Sequence, residues 1–145
     1  MKKKIVISDL DGTIALIDHR RPLVEGKQKD WQAFYAGCVN DEPNLPVIET
    51  LRALKATGHD IIIFSGRSDE VKQQTIEWLA KFDVPYDNLF MRREGDFTAD
   101  EKLKRQWLYS LDRQQILCVF DDRQKVVNMW REMEIVCFQV APGDF

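Results

Sequence analysis

Cysteine and histidine are scarce in this chain of 145 residues, which has three of the first and two of the second. Cys38, Cys118 and Cys137 are odd in number, widely spaced and without a C-x-x-C, which argues against a disulfide framework and against a structural zinc site. Buried apolar thiols are the expectation. Long apolar runs are absent too. Only residues 5–7 separate Lys2, Lys3 and Lys4 from Ser8 and Asp9, so the N-terminus reads as neither signal peptide nor membrane span, and a cytoplasmic location is expected. No large excess of one charge is present. A net charge of −3 gives no general pull toward nucleic acid or an anionic membrane, so a phosphate-bearing partner has to be held by a local cluster of positive charge. Neither low-complexity segments nor repeats of solenoid length are visible.

What is present is a composition of 44% hydrophobic and 31% charged residues, the make-up of one compact domain, expected to span 1–145. Four short runs, 5–7, 61–64, 117–120 and 135–140, are rich in β-branched and aromatic residues and nearly continuous rather than alternating. That pattern predicts strands covered on both faces, hence a parallel sheet. Residues 89–91 offer a fifth strand. Helical spacing separates the runs. Asn44 and Pro46 open one helix, Ser68 with Asp69 and Glu70 a second, the capping box Thr98-x-x-Glu101 a third, and 124–133 makes a fourth. Strands alternating with helices predict a doubly wound, Rossmann-like α/β sheet of about five strands with right-handed crossovers. Residues 14–45 are too long for a plain loop and hold Trp31, Phe34 and Tyr35, so they predict a small inserted lid.

Three strands end in polar clusters: Ser8-Asp9-Leu10-Asp11-Gly12-Thr13, Ser65-Gly66-Arg67-Ser68 and Asp121-Asp122-Arg123. In an open α/β sheet the site lies beyond the carboxyl ends of the strands, so one cleft collects all three. Four or more carboxylates at the end of a dry sheet call for a cationic partner. Oxygen donors without His or Cys suit a hard cation, and Mg²⁺ held by carboxylates and a substrate phosphate is the economical choice. Phosphoryl chemistry follows. Asp9 is placed to attack phosphorus and form an aspartyl-phosphate, while Asp11, two residues on, handles protons at the leaving oxygen and at the incoming water. Thr13, Ser65 and nearby backbone N–H groups suit phosphoryl oxygens. Asp100 and Lys104 share one helix face, and Lys104 balances charge between Asp9 and a phosphate.

Asp-Leu-Asp-Gly-Thr after a first strand, a serine ending the second, a lysine on a later helix and a final Asp-Asp resemble the four motifs of the haloacid dehalogenase superfamily of phosphotransferases. The resemblance extends further. Arg20, Ser65-Gly66-Arg67, Arg92-Arg93-Glu94-Gly95-Asp96, Asp100, Lys104 and the tail from Met129-Trp130-Arg131 through Asp144-Phe145 look like the 3′-phosphatase domain of phage-type polynucleotide kinase. It implies removal of a 3′-phosphate from a DNA or RNA end, with Asp9 as nucleophile and Asp11 as general acid and base. It also implies Mg²⁺ at Asp9, the Asp11 carbonyl and Asp121 or Asp122, and it carries over Arg20, Arg67, Asp100 and Lys104 as site residues. The chain has no G-x-x-x-x-G-K-[ST] loop, since Gln28 follows Gly26-Lys27, so the 5′-kinase half is missing and a separate kinase or ligase is left as a partner.

Two other functions compete on these residues. In a phosphatase for free nucleotides or another small phosphomonoester, Arg20, Trp31 and Phe34 would close over one nucleoside. A signalling receiver domain also gathers acids, a hydroxyl and a lysine, but its phosphorylated aspartate ends the third strand rather than the first. Trp31 and Phe34 are expected to pack the insert onto the body, with stacking on a base as the alternative.

Overall fold

The computed structural model describes residues 2–144; Phe145, the last residue of the C-terminal tail compared above, lies outside the described residues. Five strands form one parallel sheet in the order β5-β4-β1-β6-β7, with β1 at Ile5–Ser8, β4 at Asp60–Ser68, β5 at Asn88–Arg92, β6 at Ile116–Asp121 and β7 at Cys137–Gln139. The continuous apolar runs are explained by two cores. Val6, Ile61 and Ile63 point to the face covered by α2 (Leu45–Ala56) and α3 (Lys72–Lys81). Their neighbours Ile7, Ile62 and Phe64 point to the other face, under α4 (Asp100–Leu108) and α5 (Gln124–Glu132). Because side chains alternate between faces, a strand buried on both sides can carry no polar alternation.

The chain builds outward from β1 to β4 and β5, then returns to β6 and β7 on the other side. The order therefore reverses at β1, where a crevice opens between the diverging connections. Between β1 and α2 the insert forms its own small unit. Its two-stranded antiparallel pair, β2 (Ala15–Leu16) and β3 (Glu42–Pro43), brackets α1 (Trp31–Ala36), which Asp30 caps by accepting from Ala33 N at 3.0 Å. No helix among the described residues is long and apolar enough to cross a membrane.

Three local expectations are corrected. β4 continues through Ser65 to Ser68, with a register shift against β5, so the second polar cluster lies within the strand rather than after it. The following helix starts at Lys72, behind a 3₁₀ turn at Asp69–Val71. The Thr98-Glu101 capping box does not form: Ala99 is the N-cap of α4, and Thr98 gives both its N–H and its hydroxyl to Asp96 Oδ1 at 2.9 and 2.6 Å. A nearby carboxylate has outcompeted the helix end for the threonine.

Trp130, fully buried on α5, anchors the second core beside Phe64, with ring centroids 6.0 Å apart. Trp130→Ala should lower the unfolding free energy by about 3–5 kcal/mol in urea denaturation; a loss under about 1 kcal/mol would mean that this layer is not the core it is taken for.

Candidate active site

At the C-terminal end of β1 the backbone turns sharply through Gly12, at φ +83°. A Cβ there would sit 2.1 Å from Asp122 Oδ2, so glycine is required by conformation and by space. The turn brings Asp9 and Thr13 together beneath the end of β6. Lys104, reaching down from α4, donates to Asp9 Oδ1 at 2.8 Å and to Asp121 Oδ2 at 3.1 Å. Thr13 Oγ1 donates to the other Asp9 oxygen at 3.2 Å. Both oxygens of Asp9 are thus oriented. Asp121 in turn accepts from Asp122 N at 2.9 Å and from Trp130 Nε1 at 3.4 Å, which ties the site to the second core.

The charges here do not balance without help. Asp9, Asp121 and Asp122 are all buried, and one oxygen from each falls within 4.8 Å of the others. Burial first, then the charge of Asp121, pushes the Asp9 carboxyl well above the ordinary carboxylate range, against the pull of Lys104. Burial also pushes Asp122 up to about 6. Lys104 stays charged, because although burial disfavours its ammonium, Asp121 and Asp9 outweigh that and raise its pKa. Asp122 Oδ2 is buried without a hydrogen-bond partner. An all-oxygen donor set with an orphaned carboxylate oxygen fits a hard divalent cation such as Mg²⁺.

Asp11 is held by a different set of partners. Its Oδ1 accepts from Arg20 at 2.7 Å and from Arg67 at 2.5 Å. Burial raises its pKa, but Arg67 and Arg20 outweigh burial and hold the carboxyl at about 2. Both guanidiniums are 1% exposed. Arg67 also donates to Thr75 Oγ1 at 2.9 Å, and Arg20 donates to Phe34 O at 3.0 Å while gripping Asp41 through two nitrogens at 2.8 and 2.7 Å. Arg20 therefore stands beside Asp11 with four hydrogen bonds engaging its guanidinium. Ser65 is likewise buried, its Oγ accepting from Arg67 N at 3.1 Å.

Asp41 is the residue that sequence reasoning missed. Beyond Arg20, it lies 2.6 Å from His19 Nε2 and 3.4 Å from Arg67, and its carbonyl accepts from Trp78 Nε1 at 3.0 Å. Nothing local marks it, since its partners come from the insert, β4 and α3. A third group flanks the cleft, where Asp100 accepts from Arg92 at 2.5 Å and from Arg123 at 2.9 Å. Gly66 permits that approach, since a Cβ would lie 2.4 Å from Asp100 Oδ1. Asp9, Asp11, Gly66, Arg67, Asp100 and Lys104 line one cleft of about 550 Å³.

Asp11 and Asp122 give stability opposite pH dependences. Asp11, held at about 2, contributes stability that is present above the ordinary value of about 3.9 and lost as pH falls through 2. Asp122, at about 6, binds its proton more tightly in the folded chain, so metal-free protein loses stability as pH rises from about 4 through 6. In chelator at pH 7.5, Asp122→Asn should therefore be more stable than the parent, by on the order of 1–3 kcal/mol, with the gap closing toward pH 4. Thermal melts across that range check this, and a variant that melts lower at pH 7.5 would contradict it.

Comparison with known proteins gives the family. Residues 3–145 match the family described as the polynucleotide kinase PNKP phosphatase domain. A protein of Autographa californica nuclear polyhedrosis virus, described as a bifunctional polynucleotide kinase/RNA ligase, is 36% identical over 137 residues, covering 91% of this chain and 18% of the viral protein. A chain in the structure of the Pnkp1/Rnl/Hen1 RNA repair complex superposes with a TM-score of 0.85 at 34% identity, over 99% of this chain and 44% of that one. The chain thus spans less than half the length of either relative. The class C acid phosphatase of Bacillus anthracis, at 17% identity and a TM-score of 0.66 over 99% of this chain and 70% of that one, shares the fold. A match of this extent has one conclusion: the chain belongs to the polynucleotide kinase PNKP phosphatase domain family and is a phosphatase of the haloacid dehalogenase type.

Proposed function

We propose that this phosphatase removes the 3′-phosphate from DNA or RNA ends through an aspartyl-phosphate formed on Asp9. The observation that carries the reading is the fixing of Asp9 by Lys104 on one oxygen and Thr13 on the other, inside a buried acidic trio. A carboxylate so held does not have to reorganise before attack, which is how positioning lowers a barrier. In the first step an Asp9 oxygen bonds to phosphorus, the bond from phosphorus to the leaving oxygen breaks, and that oxygen takes a proton from Asp11. In the second step water attacks the phosphoryl group, Asp11 takes the water's proton, and Asp9 leaves as a carboxylate.

Asp11 is ionised at rest, so its first role needs a proton. A phosphate arriving beside it adds negative charge and competes for Arg67, and both effects raise the proton affinity of Asp11. Arg20 and Arg67 then set how readily Asp11 changes state, as positioning groups behind it. Asp9, Asp121 and Asp122, with the main-chain carbonyl of Asp11, would hold Mg²⁺, whose charge would offset that of the carboxylates and phosphoryl oxygens. Lys104 sits where charge gathers between Asp9 and the phosphate.

Family membership supports a nucleic-acid end as substrate, and the relatives' own descriptions support a kinase or ligase activity working alongside. With Mg²⁺, phosphate release should be faster from a 3′-phosphorylated oligonucleotide than from its 5′-phosphorylated counterpart or from free mononucleotides, and chelator should stop it. Equal or better hydrolysis of mononucleotides would make this a nucleotide phosphatase. Asp9→Asn should lower kcat by at least about a thousandfold with an unchanged circular dichroism spectrum; a loss under tenfold would remove Asp9 as nucleophile.

A further inference from the structure

Phe97 lines the same cleft as Asp9 and is 89% exposed, more than any other large apolar side chain among the described residues. Single exposed apolar residues are ordinary on surfaces. This one differs in how firmly its backbone is held. Arg92, from β5, donates to the carbonyls on both sides of it, Asp96 O at 2.9 Å and Thr98 O at 2.6 Å, and the Asp96 side chain locks Thr98. Glu94 N donates to Asp69 at 2.9 Å at the loop's other end. The same Arg92 reaches Gly66 O at 2.8 Å and Asp100, one turn before Lys104 on α4. These hydrogen bonds thus fix the backbone at Phe97 relative to the reacting aspartate, while the ring itself stays in water.

The cleft has a second aromatic lining in the insert. Trp31, 39% exposed, and Tyr35 have ring centroids 6.0 Å apart at 32° and both face it. Phe34 also lines the cleft but is buried, with the Arg20 guanidinium 4.3 Å from its ring centroid. A cleft with phosphoryl chemistry at its floor and preplaced aromatic rings at its rim is suited to a ligand that joins a phosphate to a flat, weakly hydrated ring system.

We infer that Phe97 is a specificity-determining residue that stacks on the base of the terminal nucleoside, the one bearing the phosphate to be removed. The terminal base is the occupant because a single cleft is lined by both Asp9 and Phe97, so the nucleoside bearing the phosphate lies nearest the ring. The inference rests on the proposed action at nucleic-acid 3′ ends and deepens it by naming what holds the end.

The test compares the parent, Phe97→Ala and Phe97→Trp on a 3′-phosphorylated oligonucleotide and on the same oligonucleotide with an abasic terminal residue. Stacking is worth about 1–3 kcal/mol per base, so Phe97→Ala should lower kcat/KM about 5- to 150-fold on the intact strand. On the abasic strand, parent and Phe97→Ala should differ by less than about twofold, and Phe97→Trp should restore activity on the intact strand. Equal losses on both strands, or none on either, overturn the stacking role. A 5′-phosphorylated control separates the two levels of the argument. If the parent does not prefer the 3′ end, the proposed function fails; if it does and the coupling to the base is missing, the Phe97 inference fails alone.

Discussion

Three carboxylates crowd into a dry crevice with the ammonium of Lys104 among them, and much of the structure around the site follows from that crowding. A buried charge without compensation is costly, so each member of the group must be held by something. Lys104 bridges two of the acids from α4, Thr13 takes the free side of Asp9, and backbone N–H groups and Trp130 attend to Asp121. What stays unsatisfied is Asp122 Oδ2. The deficit is the basis for placing a divalent cation there, and glycine at position 12 is what lets the chain come close enough to create it.

Behind the acidic trio lies a second charged layer with the opposite logic. Two buried guanidiniums face Asp11 and Asp41, so here positive and negative groups match. Asp41 belongs to the insert, Arg67 to β4 and Asp11 to the loop after β1, and the insert is thereby tied to the sheet by charge as well as by the β2–β3 pair. The insert sets the electrostatics of Asp11 through Arg20, and it also contributes aromatic rings to the cleft.

The fold was legible because its signals are local. Continuous β-branched runs bounded by helix-spaced segments name a doubly wound sheet, and the polar residues at strand ends name the crevice. The gathering of Asp9, Asp121 and Asp122 was legible for the same reason, since topology brings strand ends together, whereas Lys104 was legible from its helix face and the family resemblance. The failures arise where tertiary partners decide. Thr98 has the sequence of a helix cap, but Asp96 takes its donors. Arg20 was legible as a site residue but its partner Asp41 was not, a contact across 21 positions that no pattern encodes. Phe97 was not legible because a phenylalanine in a loop gives no sign of whether it is buried, and only the fold shows its ring in water on a backbone that Arg92 anchors.

The central claim is that phosphorus is attacked twice, first by Asp9 and then by water. Each in-line displacement inverts the configuration at phosphorus, so two give retention and a single attack by water gives inversion. The most direct measurement is the stereochemical course of transfer from a 3′-phosphate made chiral with oxygen isotopes, using an alcohol as acceptor in place of water. Overall retention is the result this account predicts, and inversion would contradict it by removing the covalent intermediate on Asp9.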